Sequence, residues 1–475
     1  MTTIDPAVTA SRAVAEVAAR RGFPESVRTD LARRVLDLLG ISIAATREPP
    51  AHSIRELVGR WGGTPEATAI GYGRVPAPSA ALLNGTLAHS LDFDDTHLPS
   101  VLHPSASVIP AALAVAERSD ASGAEFLEAA AVGIEFVCRL GMAGYDEALG
   151  NSVYFERGQH ATAICGALGS ALAAGMLLGH DTDQLVSTIG IAASMGAGII
   201  EANRTGGTVK RVHCGWAAHA GVTAAEMVSA GLTGPPTALE GRFGFFQAFL
   251  GDGFRLDALL DGLGEKWMVE DIFFKPYPCN HFTHAGVDAA LRLRAAGVDP
   301  SSIERLVLEV PTPVLRTIAE PRAEKIHPRS GYHAAFSGPF TVATALLGGG
   351  GLGVFHEDFT DDKVGDPAIL ALAASVECRG SALCDSIFPH QFPAVLTAHL
   401  RDGTTAVERV LVNRGGPQDP LSTDELLGKY HGNADPVVGH AAAATVADTV
   451  RGLAGQPSVA SLTEVLSGLE IAVSR

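Results

Sequence analysis

Residues 161–180 contain no Asp, Glu, Lys or Arg and consist mostly of Ala, Gly and Leu. A helix without a polar face has nowhere to meet water, so this segment belongs at the centre of a helical bundle. The run is long enough to cross a bilayer. Its small residues are only weakly hydrophobic, however, and Asp181 and Asp183 follow directly, so burial inside a protein is the expectation. A second nearly uncharged stretch follows, and the pattern predicts helices over about 159–178 and 182–200.

A chain of 475 residues exceeds the size at which one core keeps growing, so two domains are expected. With 47 % hydrophobic and 18 % charged residues the interior is large, and 53 glycines point to closely approaching helices. The formal charge of −17 argues against nucleic acid or an anionic membrane surface as the main partner. It also means that an anionic substrate must be met by a local cluster of Lys, Arg and His. Cys138, Cys165, Cys214, Cys279, Cys378 and Cys384 are scattered without a Cys-x-x-Cys pair. That spacing predicts reduced thiols in a cytoplasmic protein and offers no zinc or iron–sulfur framework. The opening Met-Thr-Thr-Ile-Asp-Pro does not read as a signal peptide.

The first two-thirds read as successive helices. Asp5-Pro6 and Gly22 are expected to bracket the first, and Leu31, Val35, Leu38 and Leu39 form the stripe of another. Ser122-Gly-Ala-Glu125 is a capping box that opens a third. After Gly264 short β-branched segments appear near 307–310, 375–378, 395–400 and 407–412, the last two flanking an Asp402-Gly403 hairpin turn. Ser422-Thr-Asp-Glu425 returns the chain to helix, with Asp435-Pro436 expected to start the next one. The fold expected is therefore mainly α. A large helical domain is built from residues 1–267 and 416–475, with an α+β lid domain inserted at 268–415.

Four clusters carry chemistry. Residues 90–105 hold Asp92, Asp94, Asp95, Thr96, His97 and His103, framed by Pro99 and Pro104. A polar loop between apolar helices is a common mounting for acid–base groups. Here Asp94, Asp95 and His97 are expected at turn caps and on the rim, while Asp92 and His103 face a pocket. His103-Pro104 should open a helix whose N-terminus favours an anion, although Pro110 threatens to delay or kink it. The second cluster, Glu156 to Thr162, places His160 at the head of the apolar helix. The third, Gly206-Gly-Thr-Val-Lys210-Arg-Val-His213, couples flexible backbone to cations suited to a carboxylate or phosphate. The fourth, Lys275-Pro-Tyr-Pro-Cys-Asn-His281-Phe-Thr-His284, falls at the expected domain junction. His281 and His284 lack further ligands at useful spacing, so no metal is expected there.

Taken in order, Asn84-Gly, His89-Ser-Leu-Asp92-Phe-Asp-Asp-Thr96, His103-Pro-Ser, Gly-x-His160, Lys210-Arg-x-His213, Lys275-Pro-Tyr-Pro and Thr283-His284 resemble the MmgE/PrpD family along essentially the whole chain. The resemblance implies a helical domain with an inserted α+β lid, no cofactor and no metal, a homodimer, and a site between the domains. It also implies dehydration, decarboxylation or epimerisation of a small di- or tricarboxylate. Asp92, His103, His160 and Lys210 are then the catalytic candidates, and Thr96, His213, Lys275 and His281 the substrate-binding ones. His97-Leu-Pro-Ser-Val-Leu fills the gap where the dehydratase branch carries a Trp and a longer acidic insertion. Tyr332 is a candidate for the lid tyrosine of the decarboxylase branch.

The expected mechanism has His103 move a proton alpha to a carboxylate, with Lys210 and His281 clamping carboxylates. His160 would assist leaving-group protonation or carboxylate binding, and Asp92 and Thr96 would orient His103 or a substrate hydroxyl. A hydro-lyase acting on a hydroxy-polycarboxylate such as a 2-methylcitrate-like acid is the first expectation. A cis-aconitate-type decarboxylase or an epimerase of an iminodisuccinate-like dicarboxylate stands as the alternative. A catalytically silent scaffold that binds small acids is the non-enzyme reading.

Overall fold

The computed structural model describes residues 9–20, 22–202 and 207–471. Asp5, Pro6 and Gly206 lie outside the described residues. The chain divides into two compact units, one running up to Ile272 and resuming at Tyr430, the other spanning Phe273–Lys429.

The first unit is helical: α1 (Ala10–Arg20), α2 (Glu25–Ala45), α3 (Pro49–Trp61), α4 (Ala77–His89), α5 (Ser105–Arg118), α6 (Gly123–Ala143), α7 (Val153–Glu156), α8 (Ala161–Leu177), α9 (Thr182–Ala192) and α10 (His213–Ser229). Helix α8 is the uncharged segment, buried from Ala161 to Met176 and packed against α5, α6 and α10. Helices α4 and α10 pack where Gly85 meets Gly215. A Cβ on Gly215 would lie 2.2 Å from the Leu82 carbonyl oxygen, so only glycine permits that approach. Both oxygens of the Ser122–Glu125 capping box are in place at the start of α6. Two short antiparallel pairs, β1 (Ala67–Ala69) with β2 (Gly73–Val75) and β3 (Tyr145–Asp146) with β4 (Asn151–Ser152), complete the described strands of this unit.

Two helix expectations change. Helix α5 begins at Ser105 and runs through Pro110, so the proline costs one backbone hydrogen bond without delaying the helix. Helix α9 ends at Ala192, not near 200. The chain beyond it crosses the head of α8, where the Gly198 carbonyl accepts the His160 N–H at 3.0 Å and Gln159 pairs with Ile199. A continuous helix could not make those contacts.

The second unit holds a four-stranded sheet in the order β6 (Val376–Gly380), β5 (Ile303–Val310), β7 (Ala394–Leu400), β8 (Thr405–Val410). The β5–β6 pair is parallel, and the others are antiparallel. Helices His284–Ala295 and Gly338–Leu347 pack on the sheet and on each other. In the β7–β8 turn Asp402 accepts from the Thr404 N–H at 2.9 Å. This unit extends past 415 to Lys429 because Phe274, Leu421 and Leu426 share a core and Arg414 pairs with Glu425. The Asp435-Pro436 expectation is also corrected. Pro436 lies inside the helix Thr423–Val438, and the next helix, His440–Arg451, starts after Gly439. Among the described residues no helix is long and apolar enough to cross a membrane, and five of the six cysteines are buried, with Cys378 half-buried.

Candidate active site

The loop between α4 and α5 is held by its own hydrogen bonds. His97 and Leu102 exchange N–H···O bonds of 2.9 and 3.4 Å, and the His97 ring lies 2.6 Å from the Ser100 hydroxyl. Asp92 and Val101 both take a left-handed backbone with φ of 51°. For a β-branched residue that conformation costs about 1–3 kcal/mol and persists only where the surroundings impose it. Asp94, Asp95 and His97 are not rim residues: they are 0, 2 and 3 % exposed. The reason is pairing. Asp94 accepts from His89 Nδ1 at 2.8 Å. Asp95 receives Arg34 Nη1 at 2.9 Å and the Ser105 hydroxyl at 2.5 Å. Arg34 also donates to Asp30 (2.6 Å) and to the Val269 and Ile272 carbonyls (3.1 and 2.9 Å). Burial raises the Asp95 carboxyl, while Arg34 and Ser105 pull it back.

Four imidazoles gather where four helices end. His89 closes α4, His103 stands just before α5, His160 precedes α8 and His213 opens α10. Ring centroids are 5.3 Å apart for His89–His103, 5.6 Å for His89–His160 and 5.0 Å for His160–His213. His103 donates from Nδ1 to the Asp95 carbonyl at 2.7 Å, with the Thr96 hydroxyl at 3.2 Å, which leaves Nε2 as its basic nitrogen. Its backbone N–H is held by the Thr162 hydroxyl at 3.1 Å. Three helix N-termini therefore point into one place, a field that favours anions and opposes imidazolium. His160 is held well below the ordinary histidine range, first by burial and then by His89, Lys210, His213 and His103. His213 is lowered to about 4 by burial, His89 and Lys210.

Lys210 lies within this group, buried and 3.0 Å from Asp92 Oδ1. Asp92 thus pairs with Lys210, and the Thr96 hydroxyl and the Asp95 carbonyl lie against the His103 imidazole. The first unit thus brings together Asp92, Thr96, His103, His160, Lys210 and His213. Lys275 and His281 belong to the second unit, 1 and 4 % exposed. There His281 stacks on His284 at 4.4 Å and meets Phe273 and Phe392 edge-on. Tyr332, in the same unit, packs its ring against Phe336 at 5.2 Å.

Two participants were missed as site residues. His89 was noted only as part of the motif, although His89 and Asp94 stand five residues apart across the helix end. Arg34 sits at helical spacing from Leu31 and Leu38 on the apolar stripe of α2, and that position is the signal available in the sequence. His89, Asp94 and Cys214 lie close enough to share a metal ion. Burial, with Asp94 nearby, pushes the Cys214 thiol well up, so at neutral pH it stays protonated.

Comparison with known proteins places this geometry. The MmgE/PrpD N-terminal domain matches residues 11–257 and the MmgE/PrpD C-terminal domain residues 277–454. Cis-aconitate decarboxylase of Homo sapiens is 30 % identical over 458 residues, covering 92 % of this chain and 89 % of that protein. The Mus musculus cis-aconitate decarboxylase is 29 % identical over 453 residues, covering 92 and 88 %. The cis-aconitate decarboxylase-like protein oryM of Aspergillus oryzae is 25 % identical over 471 residues, covering 94 and 95 %. Matched along nearly its whole length by these lyases and by both family domains, the chain belongs to the MmgE/PrpD family of enzymes.

Proposed function

We propose that this lyase decarboxylates a small unsaturated tricarboxylate of the cis-aconitate type. The similarity to proteins named cis-aconitate decarboxylase carries the reading, and it moves the preference away from the hydro-lyase expected from sequence. The cluster supports it: three helix N-termini, a buried lysine and a histidine with one basic nitrogen suit a polyanion that must gain a proton.

In the proposed reaction the bond from the saturated arm to its carboxylate breaks and releases CO2. The electron pair forms a new double bond, and the old π pair takes a proton at the vinylic carbon, giving a 2-methylenesuccinate skeleton. His103 Nε2, protonated once the bound polycarboxylate offsets the field of the helix N-termini, supplies that proton. Lys210 and the helix N-termini hold carboxylates, and His160 and His213 line the same space as neutral donors. Lys275 and His281 are proposed for carboxylate binding on their chemistry alone. A homodimer in the cytoplasm, needing no cofactor, is proposed on the family resemblance.

The test is proton NMR of the purified enzyme with cis-aconitate, 2-methylcitrate and iminodisuccinate in D2O, together with CO2 measurement. Release of CO2 with one deuterium incorporated into the product supports the reading. Loss of water without CO2, or deuterium exchange alone, overturns it in favour of a hydro-lyase or an epimerase.

A further inference from the structure

The last helices carry a second group of nitrogen and oxygen donors that the lyase reaction does not use. His431 and Asp435 are four residues apart on the helix Thr423–Val438, so they share a face. Gly439 then reverses the chain with φ of 80°, a conformation that favours glycine, and its N–H donates to the Asp435 carbonyl at 2.9 Å. His440 opens the next helix and is carried back over the same carboxylate. His431 Nδ1 lies 2.8 Å from Asp435 Oδ1, and His440 Nδ1 lies 2.8 Å from Oδ2. The two rings are 4.8 Å apart. One ligand atom from each residue falls within 4.8 Å of the other two.

Two imidazoles thus share one carboxylate, each against a different oxygen. A divalent cation would serve all three groups at once. Two neutral imidazoles and a carboxylate are also a common zinc donor set, with water in the remaining position. The side chains are 25, 30 and 74 % exposed for His431, Asp435 and His440, so an ion and its water have access. Arg47, bonded to the Pro436 carbonyl at 2.8 Å, brings positive charge to this corner and opposes tight binding.

We propose that His431, Asp435 and His440 form a binding site for a borderline divalent ion such as zinc, which staples the end of the helix Thr423–Val438 to the start of the helix His440–Arg451. On binding, each ring turns its Nδ1 lone pair to the metal and carries its proton on Nε2, so the imidazoles stay neutral. Magnesium, which prefers oxygen ligands, does not compete.

The test is calorimetric titration of untagged, metal-free full-length protein with zinc and, separately, magnesium, on the wild type, His440→Ala and Asp435→Asn. Substitution by cobalt(II) reports geometry through its visible absorption. One zinc per chain is expected, with a cobalt spectrum of low coordination number and no magnesium binding. Each variant should weaken zinc by at least the roughly 10- to 100-fold that loss of an outer-shell partner costs. Because His440 is largely exposed, His440→Ala should keep the wild-type circular dichroism. The absence of saturable zinc binding, or binding left unchanged in both variants, would overturn the proposal.

Discussion

His160 and His213 meet Nδ1 to Nδ1 at 2.9 Å. One nitrogen must donate and the other accept, so the two rings cannot both be protonated while the contact lasts. Burial and the neighbouring His89 and Lys210 lower both, His213 to about 4. Above about pH 6.5 His213 is neutral folded or unfolded and contributes no pH dependence. As pH falls below that value the unfolded chain takes up a proton that the folded chain refuses, and stability is lost toward pH 4. Thermal unfolding should show a falling midpoint across this window, with a shallower fall in His213→Asn. Equal slopes in the two proteins would contradict the assignment.

His103 is the proposed proton donor, and positioned acid–base groups contribute about 10²- to 10⁴-fold. His103→Gln should lower kcat by that factor and leave the unfolding midpoint near the wild-type value. A kcat close to wild type would remove His103 from the mechanism.

Lys210 and Asp92 should act as a unit, because they form a buried pair. Lys210→Met and Asp92→Asn are each expected to raise KM, and the double variant should be little worse than Lys210→Met alone. Steady-state kinetics of the cycle decide it. Additive effects would mean that Asp92 works through some other group.

Arg34 and Asp95 support the loop from behind. Arg34→Met leaves a buried carboxylate without its cation and should cost about 3–5 kcal/mol in urea unfolding. Replacing both residues, as Arg34→Met with Asp95→Leu, should recover part of that loss. A single variant within error of the wild type would show that the pair is not needed.

Gly215→Ala tests the approach of α10 to α4. The added Cβ would meet the Leu82 carbonyl and the Thr86 hydroxyl at 2.2 and 2.4 Å. Overpacking of this kind costs about 1–3 kcal/mol, readable by chemical denaturation.

Much of this architecture is legible in the chain because its signals are local. The uncharged run of α8, the Ser122–Glu125 box and the Asp402-Gly403 turn specify their elements with groups a few residues apart. The end of α9 is hard to read because residues 192–200 stay uncharged, and Gly196 and Gly198 are the only local stop signals; the chain there leaves the helix and presents the Gly198 carbonyl to His160. For Asp94, Asp95 and His97 the sequence predicts a rim, because a run of polar residues usually faces water. Asp94 has its partner His89 only five residues away, but Arg34, the partner of Asp95, lies 61 residues distant and only the packing reveals it.

The sequence by itself determined the helical bundle, the α+β segment and the family, since periodicity, capping and motif order are written along the chain. Only the tertiary structure decided that Asp92 pairs with Lys210, that Thr96 and the Asp95 carbonyl lie against His103 Nδ1, and that His89 completes the imidazole cluster. Those contacts join residues that lie up to 118 apart in sequence, and only the packing of α4, α5, α8 and α10 brings them within hydrogen-bonding reach.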